Sequence, residues 1–207
     1  CPYCGRVIEP NKSCCDKCRK EFPEMPLVRY ATGGYICTSP FPYDGIFRRA
    51  VLNFKFHNCG AYAELLSHEM VRSIKDVYRD REFDLVTCVP MHKDTLRERG
   101  YNQAELLAKE CARILGIEYA DLLAKTKKNK TQHSIKAAER VKNVIGVYSP
   151  IDKNLIKGKR ILIIDDIITT GSTLGECARI LNKCKCGEIC CCTLCTSLPV
   201  SYTHLTL

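Results

Sequence analysis

A chain of 207 residues, 45% hydrophobic and 27% charged, has the length and balance of one medium globular domain plus a small appendage. No apolar run approaches the roughly 20 residues of a membrane helix, so insertion into a bilayer as a helix is not expected. The net charge of +9, from 32 Lys and Arg against 23 Asp and Glu, suits an anionic partner such as a nucleotide, a phosphate or a nucleic acid without choosing among them. Sixteen cysteines would suit a disulfide framework in a small secreted protein. With no export pattern at the start and βαβ patterning further on, most are expected to be small buried apolar residues of a reduced, cytoplasmic protein.

Residues 1–26 form the first predicted unit, rich in Cys, Lys and Pro and too poor in apolar residues to build a core alone. In it, "CPYCG" and "CCDKC" place two C-x-x-C pairs ten residues apart, Cys1 with Cys4 and Cys15 with Cys18. Each pair lets two thiolates reach one ion from one tight turn. Four thiolates leave no open position, so the pattern points to structural Zn2+ rather than to a redox dithiol or loose surface thiols. Cys15 is preferred to Cys14 because it keeps the spacing to Cys18. Without metal the segment is expected not to fold.

Residues 27–199 form the second predicted unit. "GGYICTSPFPYDGIFRRAVLNFKFHNCG" predicts a short strand, a Pro-rich turn and a helix from about Asp44, its N-cap. Residues 61–79 carry Leu66, Met70, Ile74 and Val77 at helical spacing and predict an amphipathic helix. "FDLVTCVP" predicts a short buried strand, and "MHKDTLRERGYN" a loop. A helix over 103–115 follows, with Ala104, Leu107, Ala108, Cys111, Ile114 and Leu115 on one face and Gly116 as its C-cap. Residues 125–142 are basic and weakly periodic. Residues 160–164 predict a strand buried on both faces, 173–181 a helix and 188–195 another strand. Strands alternating with helices imply an α/β domain with a mostly parallel sheet flanked by helices. In "CKCGEICCCTLC" a second metal site is weighed against buried strand cysteines. Alternation puts Cys190 and Cys192 on one face and Cys191 on the other, poor geometry for one ion, so buried cysteines are expected. Residues 200–207 fit nothing before them, resemble a translated sequencing adapter, and are read as a non-native tail outside the fold.

The chemistry concentrates in "ILIIDDIITTGST". An apolar strand delivers Asp165 and Asp166 at its carboxyl end, where open α/β sheets bind ligands. The turn Thr169, Thr170, Gly171, Ser172, Thr173 then opens a helix. Its N–H groups and dipole suit a phosphate, the glycine permits close approach, and the hydroxyls add donors. The two carboxylates would repel that phosphate and must face something else, either adjacent diol hydroxyls or Mg2+. Phosphate beside a diol describes a ribose 5-phosphate. There is no P-loop and no G-x-G-x-x-G after a strand. The bland alternative is a capped helix beside two incidental acids.

The same thirteen residues resemble the phosphoribosyl pyrophosphate (PRPP) motif of type I phosphoribosyltransferases. "VPMHKDTLRERGYNQAELLA" and "TQHSIKAAERVKNVIGVY" resemble two blocks of ComF-type proteins within that group, with Tyr101 where Phe is usual. A four-cysteine head also belongs to that type, so the resemblance runs from residue 1 to about 199. It implies a type I phosphoribosyltransferase fold with a small N-terminal zinc segment. It further implies that Asp165 and Asp166 bind the ribose hydroxyls at the reacting centre, that Thr169, Thr170, Gly171, Ser172 and Thr173 hold the 5-phosphate, and that Mg2+ accompanies PRPP. The loop after the first core strand would hold pyrophosphate through Lys93, Arg99 and Gly100; for Arg97 a solvated surface cation is an even alternative. Within the basic stretch, Gln132 and Arg140 match the second block and would belong to a hood closing over PRPP. The same stretch suits the phosphates of single-stranded DNA, or simple solvation. His92 and His133 lie in these segments; either could serve as an acid–base group near pH 7, but a lone loop histidine more often does no chemistry, and neither is assigned a role. Two functions follow from the resemblance. One is a PRPP-binding, transferase-like protein associated with DNA uptake. The other is a cytoplasmic factor handling single-stranded DNA beside a helicase-like partner, with a regulatory or vestigial PRPP site. A nucleotide-salvage transferase is a further alternative. A homo-oligomer is compatible with either, and the acceptor substrate is not legible.

Overall fold

Ile161, Leu162, Ile163 and Ile164 are all fully inaccessible, and the strand that carries them explains why. β8 (Arg160–Ile168) lies between β4 (Leu85–Cys88) and β9 (Glu188–Thr196), parallel to both. Alternate side chains enter opposite layers. Leu162 and Ile164 pack on one side, Ile161 and Ile163 on the other. The computed structural model describes residues 1–10, 12–56, 62–127 and 144–197.

Among the described residues the main sheet has the order β1–β2–β9–β8–β4–β5. β1 (Leu27–Ala31) and β2 (Tyr35–Ser39) form an antiparallel hairpin, whereas β2, β9, β8, β4 and β5 (Glu118–Tyr119) run parallel. β3 (Phe41–Pro42) pairs further along β9. Three helices cover one face: α2 (Gly45–Phe56), α3 (Tyr62–Val77) and α5 (Gln103–Leu115). The other face is covered by α7 (Ser172–Lys183), the short α6 (Lys153–Ile156) and an antiparallel pair, β6 (Leu123–Lys125) with β7 (Tyr148–Pro150). The mostly parallel α/β sheet flanked by helices is therefore as expected. Cys190 and Cys192 enter the α2/α3/α5 layer and Cys191 the α7 layer, as strand alternation requires. No helix among the described residues is long and apolar enough to cross a membrane.

Three local differences matter. The stretch expected to be a loop after β4 folds as α4 (Lys93–Arg99). Its caps make it, not an apolar stripe: the His92 ring nitrogen accepts the Asp94 N–H, and Gly100 closes the end at φ 82. None of its residues is buried, so periodicity had nothing to report. The β1–β2 hairpin was also not expected, because β1 buries only Leu27 and Ala31 at its ends. Finally, β8 continues past the acids. On the β9 side pairing runs to Ile168 and Thr196, whereas β4 stops at Cys88 opposite Ile164.

The cysteine-rich head, which includes α1 (Asp16–Arg19), is fastened to the α2/α3 layer by aromatic packing. Tyr3 meets Phe22 edge-on at 5.0 Å and Phe41 at 5.6 Å, and Phe41 stacks on Phe47 at 4.3 Å. Arg19 donates to the buried carboxylate of Glu69 on α3 at 2.8 Å.

The turn of the β1–β2 hairpin lies directly against the start of α7. The Thr32 N–H donates to the Gly171 carbonyl at 3.2 Å. A Cβ on Gly175 would stand 2.2 Å from the Thr32 carbonyl oxygen, and one on Gly171 2.7 Å from the Ala31 Cα. Both obstacles are backbone and cannot swing aside. Gly175→Ala is therefore expected to lift the hairpin turn and cost about 1–3 kcal/mol, read as a lower midpoint in a thermal melt. An unchanged midpoint would mean the turn yields freely and does not buttress the loop.

Candidate functional site

β4 and β8 part company just where the acids begin. The Val89 N–H still reaches the Ile164 carbonyl at 2.9 Å, and beyond it the two chains diverge. Into the gap opens a cavity of about 310 Å³ lined by Asp165, Asp166, Thr173, Lys55, Arg99 and Gln103, among others. Asn102 fixes its α5 wall: its amide donates to the Val89 carbonyl at 3.1 Å, and its oxygen caps the helix by accepting the Ala104 N–H at 3.2 Å.

The two acids differ electrostatically. Asp165 accepts the Asp166 N–H at 2.8 Å. Burial and then the neighbouring Asp166 charge push its carboxyl up to about 8, against the opposing pull of that N–H, Lys55 and Lys125. Asp166 is met by Lys55, the Nζ to Oδ2 distance being 2.5 Å. Burial alone would lower the Lys55 pKa, but Asp166, with Asp165 behind it, holds it raised. Lys125, on β6, is lowered by burial.

The other half of the site is the turn into α7. Gly171 stands at its N-cap with φ 74, a left-handed conformation that suits glycine. The Thr170 and Ser172 hydroxyls are 2.8 Å apart, and the Ser172 N–H points at Thr170 Oγ1 at 3.4 Å. The N-cap glycine offers no side-chain acceptor, and the first turn holds no acid. Beyond the long Ser172 contact, the N-terminal N–H groups of this twelve-residue helix are left for an anion. Thr173 lines the same cavity as the two acids, which brings the acid pair and the turn together.

The remaining expected residues are placed unevenly. Arg99 lines the cavity from the last turn of α4. Lys93 and Arg97 are exposed, neither lines the cavity, and Gly100 is the exposed C-cap. His92 lines the cavity while its ring caps α4. Gln132, His133 and Arg140 lie outside the described residues. Sequence reading missed Lys55, whose position between two phenylalanines at a helix end resembles an ordinary surface lysine. It also missed Gln103, quoted within a block but given no role. The Gln103 residue is 1% exposed, and its Nε2 is the one buried side-chain polar atom without a partner among the described residues.

The head brings a second donor set together. The four Sγ atoms of Cys1, Cys4, Cys15 and Cys18 lie within 4.8 Å of one another, and Cys4 and Cys15 are 3.6 Å apart. Tetrahedral Zn2+ with Zn–S near 2.3 Å needs sulfurs roughly 3.8 Å apart, so the set fits that ion. Gly5, at φ 78, closes the first turn by donating its N–H to the Cys1 carbonyl at 2.9 Å. The Cys18 N–H, with that of Lys17, points at the Cys15 sulfur and holds that thiol down at about 7, while burial pushes Cys18 up to about 12. Cys14 lies outside the set, as its spacing implied.

The family model described as "Phosphoribosyl transferase domain" matches residues 102–200. Competence protein F of Haemophilus influenzae is 29% identical over 91% of this chain and 81% of its own length. Competence protein ComFC of Bacillus subtilis is 29% identical over 91% of this chain and 74% of its own. Among solved structures, adenine phosphoribosyltransferase from Saccharomyces cerevisiae aligns with a TM-score of 0.45 at 14% identity, covering 86% of this chain and 87% of that one.

Proposed function

Because this chain is a ComF-type protein carrying a phosphoribosyl transferase domain, we propose that it binds PRPP at the β8–α7 site and serves DNA uptake. One observation carries the reading: an acid pair and an uncapped helix N-terminus share one cavity. The 5-phosphate takes the N–H groups at the start of α7, with hydroxyls of Thr169, Thr170, Ser172 and Thr173 around it. The ribose hydroxyls donate to Asp165 and Asp166. Mg2+ accompanying the ligand would supply charge neutralisation for its diphosphate arm. Arg99 stands on the α4 wall to meet the same arm.

If turnover occurs, the reaction is displacement at the ribose anomeric carbon. The C1–O bond breaks with its electron pair leaving on pyrophosphate, and an acceptor's lone pair makes the new bond. The acid pair stabilises positive charge developing on the ribose, and Arg99 the negative charge on the leaving group. The four head thiolates leave no open position on Zn2+, so its contribution is structural. The described cysteines are all unpaired, which suits a reducing, cytoplasmic setting. Calorimetric titration of the zinc-loaded protein with PRPP and Mg2+ tests the reading. Saturable binding near one ligand per chain is expected; no heat from a folded protein would contradict it.

The raised Asp165 pKa sets a pH dependence. Its folded value lies above the ordinary carboxyl range, so near neutrality the group holds a proton that acceptance of ribose hydroxyls requires it to lose. PRPP affinity is therefore expected to rise roughly tenfold per pH unit on approach to pH 8 and then level, with proton uptake by the buffer. Titrations in buffers of different ionisation enthalpy read that proton. Affinity flat between pH 7 and 8.5 would mean Asp165 is already ionised.

The names of the relatives favour a second activity at the level of DNA. If residues 125–142 touch single strands, binding should weaken steeply with salt, and neutralising Lys127, Lys128 and Lys130 should flatten that slope. Binding insensitive to both would remove this reading.

A further inference from the structure

Asp166 faces two demands. In the structure its carboxylate is paired with Lys55, and both side chains are largely withdrawn from water, at 15% and 18% exposure. The proposed ribose hydroxyls need the same carboxylate. A diol supplies hydrogen bonds but no charge, so a hydroxyl that takes the Oδ2 oxygen now on Lys55 leaves a buried ammonium without a direct anionic partner, an expensive arrangement. Lys55 then needs another anion within reach of its own wall.

The layers of the fold say which. Lys55 belongs to the last turn of α2 and Gln103 to the first position of α5, and both helices cover the same face of the sheet. The phosphate-binding turn belongs to α7 on the opposite face. The acid pair stands between the two layers, at the end of β4. A ribose held there with its 5-phosphate on α7 points its C1 substituent toward the α2/α5 side. The Tyr101 hydroxyl ties these two walls by donating to the Phe54 carbonyl, next to Lys55. Gln103 adds an independent sign of a ligand, a buried Nε2 with no acceptor on a cavity it lines.

We propose that Lys55 changes partners, from Asp166 to the diphosphate arm of the ligand, and that the Gln103 carboxamide donates to the same arm. This rests on the ribose-phosphate reading of the site and goes beyond it by naming what distinguishes a diphosphate ligand from ribose 5-phosphate. Lys55 competes with the sugar for Asp166 and attracts the diphosphate, so its removal has opposite consequences for the two ligands.

The test is calorimetry of the parent, Lys55→Met, Lys55→Arg and Gln103→Leu with PRPP and with ribose 5-phosphate, each with Mg2+, after thermal melts have shown which variants fold. Lys55→Met is expected to weaken PRPP about tenfold or more while leaving ribose 5-phosphate unchanged or tighter. Lys55→Arg should recover part of the PRPP affinity, and Gln103→Leu should weaken PRPP alone. Equal loss for both ligands in Lys55→Met would show that Lys55 only shapes Asp166 and would overturn the exchange, as would no change for either. If Lys55→Met does not fold, Lys55→Arg and Gln103→Leu decide: parental discrimination in both overturns the proposal. Absence of PRPP binding by the parent overturns the site reading itself, and this role with it.

Discussion

Asp165→Asn is expected to weaken PRPP binding about 100-fold or more without lowering the melting temperature. The two outcomes separate because the carboxyl serves the ligand at the fold's expense. Its pKa is pushed up to about 8 by burial and by Asp166, so the fold disfavours its charge. An asparagine keeps the shape and an oxygen for the Asp166 N–H, now at 2.8 Å from Asp165 Oδ1, and removes a charge the interior resists. What is lost is a charged acceptor for ribose hydroxyls. Hydrogen bonds to charged groups contribute about 1.5–3 kcal/mol each, and two of them exceed a 100-fold effect. Asp166→Asn should behave differently. It strands the buried Lys55 ammonium, so stability falls too, by about 3–5 kcal/mol. Paired melts and titrations of both variants read the contrast. Parental PRPP affinity in Asp165→Asn would remove the acid pair from the account.

Removing zinc, by chelation or by Cys4→Ser, is expected to release the whole head and lower the melting temperature by roughly 10 °C or more. Structural zinc contributes about 10–16 kcal/mol to small sites of this kind, comparable to the entire stability of a domain. The segment has little else. Tyr3 and Phe22 are its main apolar contributions, packed on Phe41 and Phe47, and the expected loss of the gathered thiolates removes what anchors the chain between them. Phe47 lies on α2, so the disturbance is expected to pass along the helix whose last turn carries Lys55, and PRPP affinity should fall in turn. Zinc analysis near one ion per chain, near-ultraviolet dichroism of the tyrosines and a melt check this together. A metal-free chain with unchanged dichroism and melting would show that the head is held by packing alone.

What could be foreseen follows physical lines. The long periodic helices were legible because burial of a stripe is written in the spacing of Leu66, Met70 and Ile74. α5 was legible because its apolar face is periodic and Gly116 marks its end chemically; the Asn102 cap at its start was not read. The acids, the α7 turn and the four metal-type cysteines were legible because their chemistry is local in sequence. α4 was not, since two caps make it without any buried residue. β1, β5, β6 and β7 are short and only partly buried, too little for a two-residue period to register. Lys55 and Gln103 were invisible for another reason. Each gains its meaning from partners 111 and 62 positions away, Asp166 for the first and the cavity wall at Asp165 for the second, and only the folded sheet brings them together.

The most direct test of the central claim is a crystal structure of the zinc-loaded protein soaked or grown with PRPP and Mg2+. The 5-phosphate is expected on the N–H groups at the start of α7, the ribose hydroxyls on Asp165 and Asp166, and the diphosphate on the α2/α5 side. Ligand density elsewhere, or a site that stays empty at saturating PRPP, would contradict it.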